Sequence, residues 1–119
     1  MKICITGSSG FIGKELINRL SSRHEIVGFS RKAGCDILDY EQVKSATKGC
    51  DVVVHLAAVR KINEVKTFRD HFEINCRGTF NVAQACMENG VKKLVFASSI
   101  SYYGLELGVP IQLPVVEDG

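Results

Sequence analysis

No stretch of this sequence approaches the roughly 18 consecutive apolar residues of a membrane span. Its longest apolar runs are short, such as Asp51 through Val54 to Ala58. The start, Met1-Lys2-Ile3-Cys4-Ile5-Thr6, has no charged leader, long apolar stretch or cleavage site, which argues against a secretory signal. Charge of one sign is also lacking. A net charge of +2 over 119 residues gives no footprint for nucleic acid or a membrane surface. Paired metal ligands are missing too. The three histidines (His24, His55, His71) have no HxxxH spacing, and the five cysteines (Cys4, Cys35, Cys50, Cys76, Cys86) form no CxxC pair. No metal site is therefore expected. An odd number of scattered cysteines reads as free thiols in a reducing compartment, hence a cytoplasmic protein. Proline is scarce: its two occurrences, Pro110 and Pro114, fall in an irregular C-terminal stretch. No internal repeat or low-complexity segment is evident.

What is present suits one domain with a real core, since 45% of residues are hydrophobic and 24% charged. Strand and helix patterns alternate. Lys2–Thr6 is a short β-branched run, followed by the turn Gly7-Ser8-Ser9-Gly10. Phe11, Ile12, Leu16, Ile17 and Leu20 then recur at helical spacing. His24–Ser30 reads as a second strand and Arg31–Asp39 as a loop. Tyr40–Thr47 is a short helix closed by Gly49. Asp51–Leu56 is a third strand, apolar as expected where both faces are covered. Lys66–Asn89 is a long helix stopped by Gly90, and Lys93–Ser98 a fourth strand. This alternation predicts an α/β fold: a doubly wound parallel sheet with right-handed crossovers and strand order 3-2-1-4. That order makes strands one and four neighbours.

The strongest functional signal is Thr6-Gly7-Ser8-Ser9-Gly10-Phe11-Ile12-Gly13, between a predicted strand and a predicted helix. Gly7 permits a tight exit from the strand. Gly10 leaves room for a pyrophosphate, and Gly13 lets the helix pack close. Backbone N–H groups at the helix start face the anion, and the helix dipole favours its charge. The bland reading is a simple strand-to-helix turn, which three glycines at three-residue intervals do not require.

With this loop, His55-Leu56-Ala57-Ala58, Asn75-Cys76-Arg77-Gly78-Thr79 and Ser98-Ser99-Ile100-Ser101-Tyr102-Tyr103-Gly104, the chain resembles the extended short-chain dehydrogenase/reductase family, the nucleotide-sugar epimerases and dehydratases. The resemblance runs over essentially the whole chain. It implies a Rossmann-like domain, with 1–119 forming the N-terminal part of an NAD(P)-binding unit and the C-terminal substrate-binding part absent, so that the fold is truncated. Carried over residue by residue, it implies dinucleotide contacts from Gly7, Ser9, Gly10, Phe11, Ile12 and Gly13 in the loop. Asp36 and Ile37 would serve the adenine, and Leu56, Ala57 and Ala58 would run along the phosphates and ribose. Asn75 and Ser98 would lie near the nicotinamide end, and Ser99 would be catalytic, bonding the substrate oxygen. Read alone, Ser98-Ser99 is also what caps a strand end. Arg60 would contact the pyrophosphate, or else is a solvated side chain beside Lys61. His55 reads as a structural residue beneath the cofactor. The long helix implies a two-fold helix-bundle interface, hence a homo-oligomer.

The end of strand two decides between cofactors. NAD-preferring folds place an acidic residue there. Here Ser30 takes that position, followed by Arg31 and Lys32, which suit a 2′-phosphate. NADP is therefore expected, with NAD as the alternative. The competing reading is a solvated loop with Arg31 stacked on adenine.

One family feature is missing. The proton donor and acceptor is a tyrosine with a lysine four positions on. Tyr102 and Tyr103 are followed at that spacing by Glu106 and Leu107, and Tyr40–Lys44 falls on the wrong helix. Without that pair, proton transfer has no obvious agent. The chain alone is expected to be inactive, with self-association or marginal stability from its open edge. Three readings remain: part of an NAD(P)-dependent epimerase, dehydratase or reductase with a small-molecule substrate; a non-catalytic NADP-binding, redox-sensing module; and an interaction fragment whose cofactor site no longer works.

Overall fold

The structure, a computed structural model, describes residues 1–58 and 67–97. Ser98, Ser99, Arg60 and the Tyr102–Gly104 stretch lie outside the described residues. Four parallel strands form one sheet: β1 (Lys2–Thr6), β2 (Glu25–Phe29), β3 (Val52–His55) and β4 (Lys93–Phe96). Between them run helices α1 (Phe11–Leu20), α2 (Tyr40–Thr47), α3 (Phe68–Phe72) and α4 (Gly78–Asn89). A π-helical turn, Glu73–Arg77, joins α3 to α4 in one long helix. A 3-10 turn, Arg31–Ala33, follows β2.

The α/β class with a parallel sheet is as the alternation predicts. The strand order is not: the sheet runs β2-β1-β3-β4 rather than 3-2-1-4. The expected order sets the third strand, Asp51–Leu56, outside β2. With only the 3-10 turn, a loop and the short helix α2 before it, that strand, Val52–His55, returns to the free edge of β1 instead. That strand pairs with β1, Thr6 opposite His55. Consequently β1 and β4 are not neighbours; β3 lies between them, and β4 pairs only with β3 among the described residues. The path from β2 to β3 passes across β1, reversing the direction taken from β1 to β2. Right-handed crossovers then place the intervening helices on opposite faces.

The register confirms which residues share a face. Cys4, Val27, Val53 and Leu94 are aligned across the sheet, as are Thr6, Phe29, His55 and Phe96. The core lies on this face: Cys4, Phe29 and Val53 pack with Val43 of α2 and Val82, Ala85 and Cys86 of α4. Ile3 and Ile5 are buried on the opposite face. The two covering helices are tied by Asn89 Nδ2, which donates to Lys44 O and Thr47 Oγ1, each at 2.9 Å. Tyr40 donates to Glu88 at 2.6 Å, and Lys44 pairs with the same carboxylate. The Tyr40–Lys44 pair is thus occupied in docking helices.

Each helix ends for a visible reason. Asp39 caps α2 by accepting from Gln42 N, and Thr67 with Asp70 forms a reciprocal capping box on α3. Gly90 ends α4 in the left-handed conformation, φ 68°, with its N–H returned to helix carbonyls. All five cysteines are free thiols. Burial pushes Cys4 up to about 12 and raises Cys50 and Cys86, so these three sit protonated in the core as small apolar groups.

Candidate dinucleotide site

The site assembles at the carboxyl ends of β1 and β3, where the direction in which strands are added to the sheet reverses. Gly7 leaves β1 at φ 70°, the left-handed region. A Cβ there would meet Ala57 N and the Leu56 carbonyl carbon at 2.9 Å, so the loop lies backbone to backbone on the segment after β3. Its N–H is held by Phe29 O at 2.9 Å, which ties the loop to β2 as well. Gly13 is tighter. A Cβ there would stand 2.2 Å from Gly7 O and 2.8 Å from Ser8 Cα. The close approach that Gly13 permits is therefore between α1 and the loop, rather than the sheet alone.

Gly10 differs from both. A Cβ at Gly10 would press on a single atom, Gly7 O at 3.3 Å, with no other atom within 4 Å. Gly10 is also the N-cap of α1 and offers no side-chain cap, and the first turn holds no acidic residue. The positive end of the helix thus has no side-chain cap and no acid in its own first turn. Phe11 and Ile12 follow as exposed apolar residues, Phe11 at 90%.

The loop is pinned sideways to the end of β2. Ser9 donates to Ser30 Oγ at 2.7 Å, and Ala33 N–H donates to the same oxygen at 3.3 Å. Arg31 and Lys32 are exposed and form no salt bridge among the described residues. Beyond them, Asp36 Oδ1 accepts from Leu38 N and Gln42 Oε1 accepts from Asp36 N, giving that loop a fixed shape. Ile37 is buried against Gly78, where a Cβ would come within 2.9 Å of it. Buried Asn81 donates to Ile37 O at 3.1 Å. Asn81 and Gly78 therefore hold the Asp36–Ile37 loop from α4, a link that sequence reading missed; only the glycine belonged to a recognised motif.

His55 lies beneath the loop, 2% exposed. Its hydrogen bonds can be assigned by counting. Thr6 Oγ1 has two acceptor positions and one hydrogen. Leu56 N–H and Ala57 N–H, at 3.0 and 3.1 Å, fill the acceptor positions. The hydrogen therefore goes to His55 Nδ1, 2.6 Å away. His55 is then the Nε2–H tautomer and donates to Thr79 Oγ1 at 3.0 Å. Thr79 in turn donates to Asn75 O at 2.6 Å, in the π-helical turn. Phe96 of β4 stacks on the imidazole with ring centroids 5.9 Å apart. Burial holds the His55 pKa down at about 4, so the ring is neutral at pH 7. Leu56 and Ala57 are thus held beside the loop by Thr6, and Thr79 links His55 to the Asn75 carbonyl. Thr6 and Thr79 were not singled out from sequence, although both stand inside quoted motifs.

These features define a parallel α/β chain with a glycine-rich helix start, free of a side-chain cap, at its strand ends. Comparison with known proteins makes the class specific. Residues 3–117 match the model of the NAD dependent epimerase/dehydratase family. The chain belongs to that family. It is 41% identical over 111 residues to an uncharacterized protein of Mycobacterium tuberculosis, covering 83% of this chain and 12% of that protein. It is 31% identical to the UDP-glucose 4-epimerase of Bacillus subtilis, covering 99% of this chain and 41% of the epimerase. Among solved structures, a short-chain dehydrogenase/reductase superfamily protein of Agrobacterium tumefaciens with bound NAD superposes with TM-score 0.83 and 30% identity, over 99% of this chain and 38% of that one. MoeE5 in complex with UDP-glucose and NAD superposes with TM-score 0.76 and 29% identity, over 87% of this chain and 38% of that one. The chain thus spans less than half the length of these relatives. Among the described residues, no helix is long and apolar enough to cross a membrane.

Proposed function

We propose that this chain binds a nicotinamide dinucleotide and is the cofactor-holding part of an NAD(P)-dependent epimerase, dehydratase or reductase. Its substrate class is a nucleotide-sugar or a related alcohol or carbonyl compound. The observation that carries this reading is the start of α1 at Gly10 with no side-chain cap, on a loop whose Gly7 and Gly13 are packed too tightly for any side chain. The chemistry supplied by the bound group is hydride exchange with a carbon bearing oxygen. The residues of this chain bind and orient it. N–H groups from Gly10 to Gly13 would face the pyrophosphate, with Ser9, Phe11 and Ile12 on the loop around it. Ser30, Arg31 and Lys32 would receive the adenine ribose, and Asp36 and Ile37 the adenine. Leu56, Ala57, Ala58 and Arg60 would follow the phosphates and ribose. Asn75, Ser98 and Ser99 complete the proposed nicotinamide end, with Ser99 donating a hydrogen bond to the substrate oxygen. With neighbouring strands about 4.8 Å apart, β4 lies roughly 10 Å from β1. That distance suits an extended dinucleotide better than the adjacency expected from strand order 3-2-1-4.

Two exposed cations beside Ser30, with no acidic residue in its place, favour NADP over NAD. Calorimetric titration of the 119-residue chain should show tighter binding of NADPH than of NADH. Arg31→Glu should weaken NADPH at least about tenfold, the value of one charge-assisted hydrogen bond, and change NADH little. An equal loss for both cofactors would remove the 2′-phosphate role. Turnover by the chain alone is expected to be absent, because Tyr40, which has a lysine four positions on, is spent with Lys44 on Glu88, and Tyr102 and Tyr103 have Glu106 and Leu107 at that spacing.

The long helix also presents Phe72, Phe80 and Met87 to solvent, 61%, 64% and 83% exposed. We assign this stripe to contact with a second copy of the chain. Sedimentation should then give a mass above 13.1 kDa that returns to the monomer value in Phe80→Glu. A wild-type monomer at micromolar concentration would sink the assignment.

A further inference from the structure

The candidate site has two sides that come from distant parts of the chain. One is the glycine loop with the Leu56–Ala57 peptides; the other is the π-helical turn of the long helix with Asn75. A single buried ring lies between them. We propose that His55 is a positioning residue that fixes both sides at once, one through each ring nitrogen.

The Thr6 arm works as follows. Both acceptor positions of Thr6 Oγ1 are taken by Leu56 N–H and Ala57 N–H. A hydroxyl holding two successive amides must send its hydrogen elsewhere, and Nδ1 is the acceptor placed for it at 2.6 Å. Without Nδ1, that hydrogen would have to point at an amide, and one of the two peptides would lose its anchor. Those are the peptides against which Gly7 lies with no room for a Cβ. Nδ1 therefore sets the floor of the loop.

The Thr79 arm has the same logic. Nε2–H occupies an acceptor position of Thr79 Oγ1, which commits the Thr79 hydrogen to Asn75 O. A threonine hydroxyl bonded back to the carbonyl four residues earlier bends a helix. Here it does so inside the turn where the helical ladder is already out of step. Nε2 thereby fixes where the Asn75 end of the site stands relative to β3. The functional meaning of this arrangement rests on the dinucleotide reading; its geometry does not. Both arms are therefore tested without nucleotide.

Asparagine and glutamine separate the arms, since the Asn amide oxygen overlays Nδ1 and the Gln amide nitrogen overlays Nε2. Amide hydrogen exchange would be followed by NMR on the ligand-free chain. His55→Asn should leave Leu56 and Ala57 exchanging near the wild-type rate while amides of Glu73–Thr79 exchange at least about fivefold faster. His55→Gln should do the reverse. Equal acceleration of both regions in both variants, or of neither, would overturn the proposal. Should either variant fail to fold, Thr79→Val removes one hydroxyl at nearly constant shape. It should accelerate the Glu73–Thr79 amides and the His55 Nε2–H proton while sparing Leu56 and Ala57. An unchanged Nε2–H exchange rate in Thr79→Val would likewise overturn it.

Discussion

Gly13→Ala is expected to cost about 3 kcal/mol of folding stability and to remove measurable dinucleotide binding. The added methyl would have to occupy a point 2.2 Å from Gly7 O and 2.8 Å from Ser8 Cα, both backbone atoms. No rotamer can relieve that overlap. Either α1 moves off the loop or the loop moves off the Leu56–Ala57 segment, and each breaks the cradle. Gly34→Ala is the control. Gly34 has φ 81° but no atom within 4 Å of its Cβ position, so only the backbone conformation is penalised, by about 1 kcal/mol. Urea midpoints and calorimetry on both variants check the pair. Were Gly13→Ala no more destabilising than Gly34→Ala, the packing account of the loop would be wrong.

The second large effect is acid sensitivity. His55 accepts a proton at about 4 in the folded chain and near 6.5 when unfolded. Between those values the unfolded chain holds more protons, so stability is complete above pH 6.5 and falls as pH drops through the window. Between pH 7 and pH 5 the loss is about 2 kcal/mol, in a range where ordinary carboxylates stay ionised. The hydrogen-bond count explains why the charged ring fits badly as well as why burial opposes it. A proton on Nδ1 would face an oxygen whose acceptor positions are both filled. Urea unfolding at the two pH values measures the loss, and His55→Asn, which cannot ionise, should remove about that much of the pH dependence. An identical slope in His55→Asn would refute the assignment to this ring.

Local structure was largely legible in the sequence. Helix Tyr40–Thr47 was expected with the bounds it has, because Asp39 caps it and Gly49, at φ 77°, closes the turn after it. The long helix was expected from Lys66 and begins after the Thr67 cap; the first strand has the expected bounds, Lys2–Thr6, and the other three are shorter by a residue or two at their ends. Strand order was not legible. It depends on which free edge of the β1–β2 pair the Asp51–Leu56 strand joins, and no local pattern in that strand decides so. The glycine loop was readable because all its reasons are local. The roles of Thr6, Thr79 and Asn81 were not, because each acts on a residue between 24 and 49 positions away. The π-helical turn had no signature at all, since Glu73-Ile74-Asn75-Cys76-Arg77 holds no glycine or proline to mark it.

That turn carries a consequence for chain length. A helix converts residue count into direction, each residue advancing about 100° around the axis. A π turn holds about one residue more than an α turn in the same place. Everything before it, the Thr67 cap and Phe68 through Phe72 included, therefore faces about 100° away from where an unbroken extension of Gly78–Asn89 would aim it. Deleting one residue between Glu73 and Arg77 would yield a regular helix whose start keeps its present aim, whereas forcing all five residues into α geometry would swing that start by about 100°. At this place the number of residues matters more than which residues they are.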